Sequence, residues 1–261
     1  MPRLFLAGIL PGLLQAGAFF LWVLYYARRK NFPAEPPMPM RKRLRVTLRA
    51  LPAMLVPTVV MVGIYGGIVT ITEAAALAAV TAFLTSVIVY RGFPWTRTLE
   101  VVTEALASAG VIMLIIATAL VFGHWMTGSG VKARFVDFAA HQGFTTWEFL
   151  LMINVVLLII GCFLEVVGTL LLVMPILAPV LLPLGVDPVH FGIIFTHNME
   201  VGLVHPPVGL NLYVLSTISD APIGEVIRGI LPFLILLLIV LGLITYLPAM
   251  TLWLPDLVFG H

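Results

Sequence analysis

The stretch FGIIFTHNMEVGLVHPPVGLNLYV, running from Phe191 to Val214, decides how this chain is read. Its apolar background carries His197, Asn198, Glu200, His205 and the pair Pro206-Pro207, with Gly202 and Gly209 on either side of the prolines. At bilayer depth an ionisable side chain costs roughly 2.5 to 3.5 kcal/mol, and adjacent prolines remove two backbone donors and break the helical ladder. The segment therefore reads as a helix broken around something polar, which frees the carbonyls of Gly202 and Leu203. His197 and Glu200, three apart on one helical face, also suit a metal, but the His-Glu-x-x-His signature is absent.

The rest of the chain sets the solvent. Hydrophobic residues make up 61% of the 261, charged residues 10%, and the mean hydropathy is +1.12. A soluble domain carries about 25% charged residues, so this composition excludes a soluble enzyme and specifies an all-α polytopic membrane protein. Cys162 is the only cysteine, which excludes an intrachain disulfide and a thiolate cluster. Apolar runs long enough to span a membrane are predicted at Leu4–Ala27, Leu51–Val69, Ala74–Tyr90, Val101–Phe122, Phe149–Leu164 and Ile230–Leu247. Two further runs, Thr169–Leu184 and Val189–Ser216, are interrupted by Pro175, Pro179, Pro183, Pro206 and Pro207 and read as discontinuous helices or hairpins.

Orientation follows the basic residues. Arg28, Arg29, Lys30, Arg41, Lys42, Arg43, Arg45 and Arg49 fall in one loop, 28–50, which the positive-inside rule makes cytoplasmic and the N-terminus periplasmic. Its centre, Asn31 to Pro39, is a proline-rich connector that separates the first span, 1–27, from residues 51–261. The basic loop is read as a topology determinant rather than as an anionic-lipid or nucleic-acid site. No A-x-A site follows the first span, so a cleaved signal peptide is not expected.

Two other patches combine glycine with an acid or hydroxyl. In Gly66 to Ala76, Thr70 or Thr72 can cap a helix whose first turn holds Glu73, a structural role that needs no ligand. In Gly161 to Thr169, Glu165 closes an apolar run just before Gly168 and Thr169. Unwinding there would offer carbonyls, a hydroxyl and a carboxylate, hard ligands for Na⁺ or a proton-coupled site; Glu165 could equally cap or pair across a helix interface.

The motifs Gly161-x-x-x-Glu165, Pro175-Ile176-Leu177-Ala178-Pro179, Gly185 to Gly192 and Gly202 to Leu212 occur in this order. Together with Phe5 to Gly12 and Gly67 to Ala76, they resemble the large membrane subunit of tripartite ATP-independent periplasmic (TRAP) transporters over nearly the whole chain. The resemblance implies the second half of an inverted-repeat, elevator-type carrier in the bacterial inner membrane. Such a carrier takes an organic acid from a periplasmic binding protein, works beside a small membrane subunit, and uses Na⁺ as coupling ion with no other cofactor. It also implies a re-entrant hairpin at about 111–137, turning at Thr127-Gly128-Ser129-Gly130, broken helices at about 149–184 and 189–219, and a last helix at 230–247.

By that likeness Na⁺ would meet carbonyls and hydroxyls near Gly161, Gly168, Thr169, Gly202 and Pro206. The candidate cation- and substrate-binding set is Gly161, Glu165, Gly168, Thr169, Asn198, Glu200, Gly202, His205, Pro206 and Gly209. His205 stands where the family often has threonine, and Ile71 where it has proline. With Asn198 and Glu200, His205 suggests the C4-dicarboxylate branch. Family members carry a first repeat before the helix matched by Leu4–Ala27. The chain is thus expected to be a fragment, a mis-started frame or half of a split subunit with the first repeat on another chain, and not to transport alone. Two other classes compete: an intramembrane metal-dependent hydrolase built on Glu165, Glu200 and the histidines, and a structural membrane subunit without a site.

Overall fold

The computed structural model describes residues 2–32, 38–90, 95–130, 134, 137 and 143–260. Its helices are α1 (Pro2–Ala7), α2 (Ile9–Arg29), α3 (Met40–Tyr65), α4 (Ile71–Leu84, continued by a π-helical turn over Thr85–Val89), α5 (Trp95–Gly128), α6 (Thr146–Gly161), α7 (Val166–Leu181), α8 (Pro188–Val204), α9 (Leu210–Ser219), α10 (Ile223–Tyr246) and α11 (Ala249–Phe259). No strand occurs among the described residues, and five helical stretches are long and apolar enough to cross a membrane. The chain is an all-α, multi-pass membrane protein. It divides into two compact units, residues 3–30 with 111–261 and residues 31–110.

The smaller unit is built on an antiparallel pair. Ile68 and Val69 donate to the Gly63 carbonyl where α3 turns into α4, and at the other end the Tyr90 hydroxyl donates to the Arg49 carbonyl. The turn works because Gly67 adopts φ +65° and because α4 begins with a capping box. The Thr70 hydroxyl accepts from the Glu73 amide while the Glu73 carboxylate accepts from the Thr70 amide, so two orphan donors are satisfied locally. Glu73 thus takes the capping role. The stretch read as loop 28–50 is helical from Met40, because arginine, lysine and leucine are good helix formers whatever their charge. Residues 33–37 of the proline-rich connector lie outside the described residues.

In the larger unit α8 lies at the centre, and nine of its side chains, from His190 to Gly202, are buried. Interhelical contacts fix the directions around it. Leu4 meets Gly192 and Gln15 meets Glu200, so the first helical stretch runs parallel to α8. Asn154 meets Asn198 and Gly161 meets Gly202, so α6 does too. His197 reaches the Leu237 carbonyl and His190 reaches Thr251, which makes the strand of chain through α10 and α11 antiparallel. Phe149, Ile153 and Leu157 of α6, Leu177 and Leu181 of α7, Phe191, Ile194 and Phe195 of α8 and Val240 and Ile244 of α10 close one core. A helix buried on most faces needs no single apolar stripe, which is why α8 reads as uniformly apolar apart from its polar interruptions.

Of the two readings of the proline-interrupted segment after Phe149–Leu164, a discontinuous helix or a hairpin, the chain takes the second: residues 146–184 are a helical hairpin. Thr146 at the start of α6 donates to the Leu184 carbonyl just past α7, which sets the two arms antiparallel, and an apolar cleft of about 270 Å³ is lined by residues of both arms, among them Met152, Ile160, Val173 and Leu177. Each arm has 16 residues, or about 24 Å of helix, short of a hydrocarbon core of about 30 Å. The motif Gly185-Val186-Asp187-Pro188 then turns the chain into α8. Gly185 takes φ +70°, Val186 donates back to the Leu181 carbonyl, the Asp187 carboxylate accepts from the Val189 and His190 amides, and Pro188 occupies the first helical position.

Two further expectations shift. The last long helix begins at Ile223 rather than Ile230 and is followed by α11. The helix expected to form the first arm of a hairpin at 111–137 is continuous from Trp95 to Gly128 and ends at Ser129-Gly130, with Gly130 at φ +70°. Most of the returning arm falls outside the described residues.

Candidate functional site

The tip of the α6–α7 hairpin meets the break between α8 and α9. Gly161, the last residue of α6, lies against Gly202: a Cβ built on Gly202 would stand 2.7 Å from the Cα and the carbonyl carbon of Gly161. Only two glycines permit that backbone approach. One residue further, the Cys162 Sγ lies 3.3 Å from the His205 Nδ1. Cys162, Phe163, His205, Pro206 and Pro207, with Leu158 and Ile159 behind them, line a cavity of about 250 Å³.

Both breaks free backbone carbonyls. In the hairpin tip Phe163 and Leu164 donate back to Ile160, and among the described residues no backbone donor reaches the carbonyls of Gly161, Cys162, Phe163 or Leu164. In the other break His205 donates to Gly202, and Pro206 and Pro207 have no N–H, so the carbonyls of Leu203, Val204 and His205 are left over. The Gly202 carbonyl, expected to be free, is therefore partly satisfied. Gly209, at φ +40°, lets the chain fold back over the break: a Cβ there would lie 2.9 Å from the His205 oxygen and 3.1 Å from the Leu203 oxygen. The Pro206-Pro207 bond is cis. Carbonyls left free in this way are chemically suited to a hard monovalent cation.

The remaining candidates separate. Glu165 sits at the start of α7 with an exposed carboxylate, and no ion-pair or hydrogen-bond partner of it is found among the described residues. Thr169 is fully buried and its hydroxyl donates to the Glu165 carbonyl, which leaves the hydroxyl oxygen's lone pairs as acceptors. Gly168 faces Ile115 of α5 at the edge of a cavity of about 220 Å³. Asn198 shares the Gly202 face but lies one turn below it. Its Nδ2 donates to the Asn154 Oδ1 and the Ile194 carbonyl, and the Asn154 Nδ2 donates on to Thr245.

Glu200 points elsewhere. Two residues along a helix are about 200° apart, so Glu200 turns away from the Asn198 face and accepts from Gln15 of α2 at 2.7 Å. His197, on that same side, lies 3.6 Å from Glu200 through Nδ1 and donates through Nε2 to the Leu237 carbonyl. The acids and histidines invoked for a hydrolase therefore do not converge. Among the described residues no group of three His, Cys, Asp or Glu side chains could hold a metal. Sequence reasoning missed Asn154, Thr245 and Gln15 as partners; Asn154, alone in the apolar run 149–160, was the one visible signal.

Comparison with known proteins supplies the family. Residues 1–250 match the family model described as the DctM component of the tripartite ATP-independent periplasmic transporter. The chain is 41% identical over 254 residues to a C4-dicarboxylate TRAP transporter large permease protein of Pseudomonas aeruginosa, covering 97% of this chain and 60% of that protein. It is 40% identical to the C4-dicarboxylate permease of Rhodobacter capsulatus, covering 98% and 58%, and 33% identical to a sialic acid TRAP transporter large permease of Vibrio cholerae, covering 99% and 60%. The chain thus spans about 60% of the length of these relatives. With a match over so much of its own length, and with the quoted glycine and proline motifs forming the hairpin tip and the helix break, the chain belongs to the DctM family of TRAP transporter components, a family of transporters and not of enzymes.

Proposed function

We propose that the chain forms one half of the ion- and substrate-handling core of a Na⁺-coupled carrier for an organic acid of C4-dicarboxylate type. The acid is delivered by a periplasmic binding protein, and a small membrane subunit stands beside the carrier in the bacterial inner membrane. The observation that carries this reading is the meeting of two backbone breaks, Gly161–Glu165 and His205–Gly209, with seven carbonyls left over and Glu165 closing the first of them. Half-helices that end at one another can supply the cation with oxygens and the anion with helix N-termini. Here α7 and α9 begin at the two breaks, so both positive ends start there. The Na⁺ ligands in this reading are carbonyls of the hairpin tip and of Leu203 to His205, with Glu165 supplying the nearby negative charge.

Sodium binding to the purified chain tests it. Thermal unfolding in detergent is followed in NaCl, KCl and choline chloride at equal ionic strength. A specific site stabilises by about 2.7 kcal/mol at a hundredfold excess over Kd. A rise in Tm specific to Na⁺ supports the reading, and identical curves in the three salts overturn it. Substrate class is read separately, by whether succinate or sialic acid adds to the Na⁺ shift in the presence of the binding protein.

A further inference from the structure

The first third of α3 carries Arg41, Lys42, Arg43, Arg45 and Arg49, all exposed, and no acidic residue occurs between Met38 and Gly66. Arg41, Arg45 and Arg49 recur every four residues with Lys42 beside them, so four of the five cations fall within about 100° of the helix surface. Leu44, Leu48, Leu51 and Leu55 form a separate exposed stripe on the neighbouring face. Among the described residues none of the five cations has an ion-pair or hydrogen-bond partner for its side chain.

Length fixes where this stripe sits. About 20 helical residues are needed to cross the hydrocarbon, and counted back from Tyr65 at the end of α3 they reach Val46. Arg49 then lies one turn inside the hydrocarbon edge, Arg45 at the edge and Arg41 one turn beyond it. A guanidinium at those depths must extend along its aliphatic stem toward the headgroups. An independent marker agrees: the exposed Tyr90, at the end of the antiparallel partner, places its hydroxyl on the Arg49 carbonyl, and tyrosines of this kind gather at the membrane interface. A general excess of positive charge in a loop sets topology but requires neither a four-residue register nor a leucine stripe alongside it.

We propose that Arg41, Arg45 and Arg49, with Lys42, form a binding site for the phosphate headgroup of an anionic phospholipid whose acyl chains lie along Leu44, Leu48, Leu51 and Leu55. Arginine suits phosphate because its planar fork donates two hydrogen bonds at once. The site is independent of the carrier reading, since it uses only residues of the smaller unit.

The test uses the full chain in detergent, titrated with phosphatidylglycerol or phosphatidylcholine, with bound lipid counted by native mass spectrometry. Phosphatidylglycerol is expected to bind and phosphatidylcholine not. The triple substitution R41Q/R45Q/R49Q is expected to weaken binding on the order of a hundredfold, at about fivefold per arginine near an anionic headgroup. The charge-matched control R28Q/R29Q/K30Q is expected to leave it unchanged. Where the triple variant unfolds without lipid, R45Q alone is read for its fivefold loss. Equal weakening by both triples, equal binding of the two lipids, or displacement of the lipid by inorganic phosphate or an RNA duplex overturns the proposal.

Discussion

Gly161 and Gly202 touch backbone to backbone at the point where the α6–α7 hairpin turns and α8 is about to break. The contact is asymmetric. A Cβ on Gly202 would meet main-chain atoms at 2.7 Å, whereas one on Gly161 would meet the Gly202 Cα and the flexible Met199 Cε at 3.3 Å. Gly202→Ala is expected to lower stability by about 1 to 3 kcal/mol, the range for overpacking a close contact, and Gly161→Ala by distinctly less. Thermal unfolding of both variants in detergent reads this directly, and equal losses would contradict the geometry.

Glu165 and Glu200 should part company. The Glu165 carboxylate is exposed at the start of α7, just past the hairpin tip, with no partner among the described residues, while Glu200 is held by Gln15 on the far side of α8. Glu165→Gln is expected to leave stability without sodium within about 0.5 kcal/mol, as exposed substitutions do, and to shrink the Na⁺-dependent rise in Tm. Glu200→Gln is expected to leave that rise intact. The reverse pattern would move the ion site to the α2 side of the bundle.

The Asn198–Asn154–Thr245 chain is a polar link through the core of the larger unit. The Asn198 Oδ1 is buried without a partner among the described residues, so truncating Asn198 removes an unsatisfied acceptor as well as its bonds. Truncating Asn154 takes a partner from two buried groups, the Asn198 amide, which keeps its bond to the Ile194 carbonyl, and the Thr245 hydroxyl. Asn154→Ala is therefore expected to cost more than Asn198→Ala. Their double-mutant coupling should be near the ~0.6 kcal/mol average for interhelical polar pairs in membrane proteins.

Thr145 caps α6 reciprocally with Glu148, and Thr70 caps α4 with Glu73. Replacing either threonine by alanine removes an acceptor from the first turn. Faster amide exchange is expected at Glu148 in Thr145→Ala and at Glu73 in Thr70→Ala, with the opposite helix unaffected. Exchange that stays slow in both would mean the caps are dispensable.

Class, most helical runs and both backbone interruptions were legible from composition, hydropathy and the glycine and proline positions, because each of these is a local property. What was not legible depended on which way a helix face points. Asn198 and Glu200 stand two residues apart and look like one polar cluster in sequence, yet they face α6 and α2 respectively. Nothing in a sequence shows that the Thr169 hydroxyl bonds back to Glu165. Proline and glycine between 161 and 184 signal an interruption but leave a discontinuous helix and a hairpin both open; the reversal follows from pairings such as Thr146 with Leu184. Charge disguised the first third of α3 as loop.

Cys162 stands at the tip of the hairpin against His205, and it is the only cysteine in the chain. The molecule thus carries a built-in reporter at its most informative position. A maleimide fluorophore or spin label added to the unaltered protein reads this junction and nothing else. Its reaction rate with and without sodium measures how often hairpin tip and helix break part, with no engineered thiol required.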